Sequence, residues 1–389
     1  MARPARLTRR AFLGLAGLLA ACGPATALPT ATPAPQTPRA TPATPTDTAA
    51  PPTATATATS TPTSEPSATP SATATDVPPT ATETAVPAVR LMAGGDIMLA
   101  RSVGDSVLAN GPAVVFAGVQ SALAEADLFV ANLECVISDE GTPAVKSYTF
   151  RAPPDTAEAL SAGGVNIVSL ANNHSLDYGV TALADMLPSL RELGIETVGA
   201  GADNVAARAP VMVTRNGLRM AFLAYVDVPV EGRLGFDTRS WEAGPDRPGL
   251  AWAVPGDMQF DIASARLKAD VVVVLMHFGL EGQSEFTAHQ QSLAHTAIDA
   301  GAALVLGAHS HVLQPIEHYN GGLIAYSLGN LVFDGFAPPA TYSALFAVTL
   351  TPAGAAEYEI IPLYVDHGLP RLASETEANV VRALMAPVE

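Results

Sequence analysis

Cysteine is nearly absent. The chain holds only Cys22 and Cys135, and Cys22 sits where an apolar N-terminal run stops. With Cys22 assigned to a lipid anchor, Cys135 stands alone and no intrachain disulfide can form. The fold must rest on its core, and Cys135, directly after Glu134, reads as a buried inert thiol. Basic charge is also scarce: 20 Lys and Arg against 37 Asp and Glu give a formal net charge of -17. A nucleic-acid binder needs a basic footprint, so the charge balance argues against that class. An anionic substrate is not excluded, because bound divalent ions reverse the local field. The apolar run over 11–21 is too short to span a bilayer. There is no Gly-x-Gly-x-x-Gly fingerprint and no P-loop, which argues against a nucleotide-binding fold.

What is present falls into three parts. Residues 1–22 read as an export and lipoprotein signal. Thr8-Arg9-Arg10-Ala11-Phe12-Leu13 resembles a twin-arginine signal, and Leu19-Ala20-Ala21-Cys22 resembles a lipobox. Cleavage before Cys22 would leave a lipidated N-terminus, so the expected location is the outer face of a bacterial membrane. Residues 23–86 alternate Thr-Ala and Thr-Pro without an aromatic residue. Such a tract cannot bury enough surface to offset ordering entropy and reads as a disordered linker. Residues 87–389, roughly 300 of them, suffice for one large α/β domain.

Within that domain the pattern predicts strands over 89–94, 128–131 and 166–170, with helices over 119–126, 156–162 and 178–193. A short edge strand is expected over 148–151. From residue 209 onward hairpins appear: 210–215 with 218–226 around Asn216-Gly217, another at Asn320-Gly321, and a third near 351–355. Strands at 271–277 and 303–306 flank a helical stretch. The Gly- and Pro-rich segment 227–255, with Trp241 and Trp252, reads as a lid or binding loop. The mixture implies two packed sheets flanked by helices.

Five apolar strands end in polar groups: Asp96; Asn132 and Glu134; Asn173 and His174; His277; and His309 with His311. Functional groups gather past the carboxyl ends of strands, where loops face a shared crevice. Each group alone is weak, because Asp after Gly-Gly or a lone Asn is more often a turn former. Their recurrence is what a turn reading leaves unexplained. The chemistry fits a two-metal hydrolase, which needs a bridging carboxylate, imidazoles and a terminal oxygen. Glu134 would bridge, Asp96 and His311 would complete one ion, and Asn173, His277 and His309 the other. His174 is placed to protonate a leaving oxygen.

These motifs resemble the CapA family of poly-γ-glutamate capsule synthesis proteins, within the calcineurin-like metallophosphatase superfamily. The matching pieces are Gly95-Asp96-Ile97-Met98-Leu99, Asn132-Leu133-Glu134, Ala171-Asn172-Asn173-His174 and His277-Phe278-Gly279-Leu280-Glu281. They continue with Gly307-Ala308-His309-Ser310-His311-Val312-Leu313-Gln314 and Tyr326-Ser327-Leu328-Gly329-Asn330. The resemblance implies an α/β fold, a four-layer α/β/β/α sandwich of the calcineurin-like metallophosphatase type, with the metal site at the sheet edge. It departs from the superfamily at Met98, which stands where a histidine is usual, and at Glu134, which stands for an aspartate. A thioether is a poor ligand for hard ions, which leaves the first ion to recruit Asn132 or Asp177, or to be absent.

One or two divalent ions (Mn, Zn or Fe) are the implied cofactors. Arg101 is a candidate substrate contact or a solvent-facing helix residue, Asn330 a candidate substrate contact or a turn cap, and Glu281 a candidate to orient a ligand histidine or a plain loop charge. His289, His295, His318 and His367 read as structural or surface residues. The first functional expectation is a metal-dependent hydrolase of a phosphoester or γ-glutamyl polymer, partnered with capsule synthase subunits. The alternative is a non-catalytic, metal-dependent polymer-binding or assembly subunit of capsule export. A scaffold with a merely structural metal ranks third.

Overall fold

The Val271–Phe278 strand sets the layering. All 8 of its residues are buried, and its two faces go to different cores. Val271, Val273 and Leu275 join Leu91, Val130 and Ile167. Val272, Val274 and Met276 pack instead on Met258, Ile262, Leu293 and Ala297, which lie on the helices Pro255–Arg266 and Ala288–Asp299. A strand buried on both faces reads as a continuous apolar run, which is why the sequence shows Val-Val-Val-Val-Leu-Met here.

These relations come from a computed structural model that describes residues 86–388. The twin-arginine and lipobox motifs, Cys22 and the linker tract up to residue 85 lie outside the described residues.

Two large sheets face each other. The first has 8 strands. Val89–Ile97 lies in its middle, parallel to Leu128–Leu133. Ile167–Ser169 and Glu196–Val198 continue the parallel run. On the other side Tyr342–Thr351, Gly354–Asp366 and Leu369–Leu372 follow in antiparallel order. Asn330–Val332 adds to the end of Val89–Ile97, with Asp96 opposite Asn330. The second sheet has 7 strands. Leu218–Asp227, Val271–Phe278, Leu304–Ala308 and Gly322–Ala325 run parallel. Helices Gly179–Glu192 and Glu375–Leu384 pack on the first sheet. The order of layers is therefore helix, sheet, sheet, helix, as expected from the sequence.

Local differences have local causes. The edge strand expected over 148–151 is only Arg151–Ala152, pairing Val136–Ile137. The helix expected over 119–126 is reduced to Gln120–Leu123. The 227–255 segment is not a structureless loop. It holds the Val230–Glu231/Phe236–Asp237 ribbon, and it pairs Gly249–Leu250 with Ala200–Gly201. Cys135 is fully buried, and burial pushes its thiol up to about 12, as an inert thiol requires.

The last helix carries a pH latch. Ser374 and Glu377 form a capping box, and Glu377 also accepts two bonds from Arg371 at 2.9 and 2.8 Å. The Arg371 bond, with the Ser374 amide, holds the Glu377 carboxyl at about 2, below its ordinary 4.5. A depressed folded value means that this stabilisation is complete above the unfolded value and fades as pH falls through the folded one. Between pH 4.5 and about 2 the melting temperature should drop. Glu377→Gln should remove that part of the slope in melts recorded across this window.

Candidate metal centre

Two glycines bring the sheet edges together. A Cβ on Gly95 would lie 1.9 Å from the Gly329 carbonyl oxygen, and one on Gly307 would lie 1.9 Å from that of Tyr326. The Tyr326-Ser327-Leu328-Gly329-Asn330 segment thus threads between the two strand ends. Asp96 donates its amide to Gly329 O at 2.9 Å, and Leu328 donates to Gly307 O at 3.1 Å. Backbone atoms cannot swing aside, so Gly95→Ala should cost about 1–3 kcal/mol in unfolding free energy. Denaturant titration of that variant checks this.

All the expected ligands except Asn173 form two overlapping groups. Glu134, His277 and His309 place donor atoms within 4.8 Å of one another, and so do Asp96, Glu134 and His311. Glu134 is common to both, as a bridge must be. Asn173 Oδ1 sits 2.6 Å from His277 Nε2, so it faces the same point as the first group. His309 and His311 have φ of 92° and 57°. Left-handed backbone at two non-glycine residues is strained, and such strain clusters at functional sites.

The electrostatics suit a cation. Both Glu134 oxygens and His309 Nδ1 are buried without a hydrogen-bond partner, and a buried polar group without a partner is costly. Burial, then the charge of Asp96, raises the Glu134 carboxyl well above its usual range. Burial, helped by His311, lowers His309 to about 3, and His277 is lowered for the same leading reason. Neutral imidazole is the form that binds metal. At His311 burial pulls downward, but the bond and charge of Asp96 outweigh it and the net shift is upward. Carboxylate, imidazole and amide oxygen form a donor set for divalent transition metals. The residues fit the group.

Beside this centre lies a second constellation. His174 Nδ1 is 2.7 Å from Asp177 Oδ2, and its ring stacks on Phe150 with centroids 4.2 Å apart. Its Nε2 faces Glu134 Oε1 at 3.9 Å and Glu231 Oε1 at 3.8 Å. Lys146, one of two lysines in the chain, has a fully buried side chain. It donates to Asp177 Oδ1 at 2.7 Å and to the Asn173 carbonyl at 2.6 Å. Glu231 Oε2 lies 2.5 Å from Lys146 Nζ, a close ion pair whose angles fall outside hydrogen-bond geometry. Sequence reasoning missed Lys146 and Glu231. The available signal was a lone lysine just before Tyr148 and Phe150.

Several expected roles change. Asn330 is 1% exposed, so it is not a substrate contact. Its Oδ1 lies 2.9 Å from His311 Nδ1, and its Nδ2 donates to the carbonyls of His311 and Ala340. It fixes the ring and leaves His311 Nε2 toward Glu134. Asn132 joins no ion, because its Nδ2 donates to Asp96 and its Oδ1 accepts from Asn172. Asp177 is held by Lys146, His174 and the Phe150 amide, so it is no ligand either. The Met98 sulfur accepts the Ala100 amide at 3.1 Å and faces no ion. Glu281 orients no histidine; it lines the outer cleft together with Arg101, His174 and His311. His289 pairs with Asp227 and His295 with Glu317, away from the centre.

Residues 90–335 match the family described as bacterial capsule synthesis protein PGA_cap. The chain belongs to that family. It is 33% identical over 285 residues to the capsule biosynthesis protein CapA of Bacillus anthracis, covering 71% of this chain and 67% of that one. It is 31% identical over 279 residues to the PGA biosynthesis protein CapA of Bacillus subtilis, covering 71% of each. A probable polyglutamine synthesis accessory protein of Mycobacterium tuberculosis is 33% identical over 66% of this chain and 70% of its own. For this PGA_cap chain, buried His, Glu and Asp groups compatible with a divalent metal site sit inside the matched span.

Proposed function

We propose that this PGA_cap protein is a metal-dependent hydrolase acting on a γ-glutamyl polymer in capsule synthesis, export or processing. The observation that carries the reading is Glu134, whose two unpartnered buried oxygens stand between two ligand groups and face the His174 imidazole. Asp96, Glu134 and His311 would hold one ion, and Glu134, Asn173, His277 and His309 the other. Bound divalent ions supply Lewis acidity and positive charge for an anionic substrate.

The chain's own groups do the rest. Asp177 accepts from His174 Nδ1, which orients the ring. That leaves Nε2 on the cleft side to give a proton to the leaving atom. Lys146 holds Asp177 and Glu231 together under this ring. The relatives' names support the polymer, because they speak of capsule, PGA and polyglutamine synthesis. The lipobox at Cys22 supports attachment to the outer face of a membrane, where capsule synthase subunits would be partners. A phosphoester is the competing substrate.

A second reading, polymer binding without cleavage, is favoured by Met98, which removes one usual imidazole from the first ion. Incubation of the metal-loaded chain with γ-glutamyl polymer and with a phosphoester panel separates these readings. Chain shortening supports the proposal. Retention of intact polymer supports the binding subunit.

A further inference from the structure

The cleft outside the centre is unlike the centre itself. It encloses about 220 Å³, and Phe150, Phe333 and Phe336 form apolar walls beside His174 and His311. Among the described residues, Arg101 is the only lysine or arginine lining it. Its guanidinium lies 4.9 Å from the Phe150 ring centroid and 5.7 Å from that of Phe333. One nitrogen, Nη2, is anchored on Asp334, with 2.9 Å to its carbonyl and an ion pair to its carboxylate. Among the described residues Nη1 and Nε have no recorded acceptor. Arg101 also has φ of 54°. Left-handed backbone favours glycine and costs an arginine stability, so the position is strained where glycine would be relaxed.

Glu231 is balanced by Lys146, whereas Glu281, on the same cleft, is exposed and has no ion-pair or hydrogen-bond partner among the described residues. Asp334, also on this cleft, pairs with Arg101 through Nη2, so an anionic group is repelled on the Glu281 side and meets Arg101 through Nη1 and Nε. A ligand matching this cleft carries a negative group at the centre and a second one nearby, joined by apolar carbons that lie on phenylalanine. Successive units of a γ-linked glutamate chain have that form: free α-carboxylates separated by methylenes.

We propose that Arg101 forms a carboxylate-binding subsite that reads the α-carboxylate of the glutamyl unit flanking the one at the centre. This rests on the polymer reading above. An arginine stacked on aromatic faces gives up less freedom on binding than a mobile lysine, and one charged hydrogen bond of this kind is worth roughly a 10–100-fold change in affinity.

The test uses the full chain in Mn²⁺, with a γ-linked hexaglutamate, its α-methyl ester and inorganic phosphate as probes. Arg101→Gly relaxes the backbone but gives up the Asp334 contacts and the aromatic stacking, so the variant should stay folded with a melting temperature near that of the parent. Its affinity for the free-acid oligomer should fall roughly 10–100-fold. The parent should prefer the free acid to the ester by a similar factor, and Arg101→Gly should not. Arg101→Lys should restore part of the loss, and phosphate, which probes the centre alone, should bind all three chains alike. Equal oligomer binding by the parent and Arg101→Gly overturns the subsite while leaving the polymer reading intact. A parent that binds phosphate but neither oligomer overturns the polymer reading and the subsite with it.

Discussion

Glu134→Gln should empty the centre without unfolding the protein. Glu134 is the one residue common to both ligand groups, so its loss strikes both ions. Altering a partner of a ligand already costs about 10–100-fold in metal affinity, so the loss at a shared ligand should be at least ~100-fold. The metal-free fold should not suffer. Its Glu134 carboxyl is fully buried, unpartnered and shifted upward by burial and by Asp96, and glutamine has the same shape without an ionisable group. The pH dependence follows. A raised carboxyl must lose its proton before it can ligate, so parent affinity should climb with pH, and the variant should show a flatter rise. Titration with Mn²⁺, paired with thermal melting, checks both parts. A variant that keeps parental affinity would remove Glu134 from the centre.

His174→Ala should separate metal binding from turnover. The ring faces Glu134 Oε1 at 3.9 Å, which is beside the ligand groups rather than in either of them. Metal content should therefore stay at the parental level. General acid catalysis contributes about 10²–10⁴-fold, and cleavage of the γ-glutamyl polymer should fall within that range. Asp177→Asn should lower kcat in the same direction and less severely, because it removes an orienting acceptor and leaves the imidazole. Parental cleavage by His174→Ala would show that the proton comes from elsewhere.

Much of the centre was legible because apolar runs stop at polar residues. The runs before Asp96, Asn132, Asn173, His277 and His309 are strands in the structure, and their ends meet at one edge. The ligand groups follow from topology, which parallel strands impose on their carboxyl ends. What escaped was held by groups far apart in sequence. Lys146 comes from a loop and Glu231 from the short Val230–Glu231 strand, and neither sits in a periodic pattern. Asn330 reads from the sequence equally as a residue lining the site or as a turn cap. Only its bond to His311 Nδ1 assigns it to positioning. The start of the helix Arg101–Asn110 was also hidden, since it begins at a left-handed arginine and lacks a side-chain cap.

The most direct test of the account is metal content per chain, by elemental analysis of the purified protein after dialysis and again after reloading with Mn²⁺ or Zn²⁺. The parent should carry about two equivalents of divalent transition metal, since each ligand group would hold one ion. A folded chain that carries none, and takes up none when Mn²⁺ or Zn²⁺ is added, would contradict it.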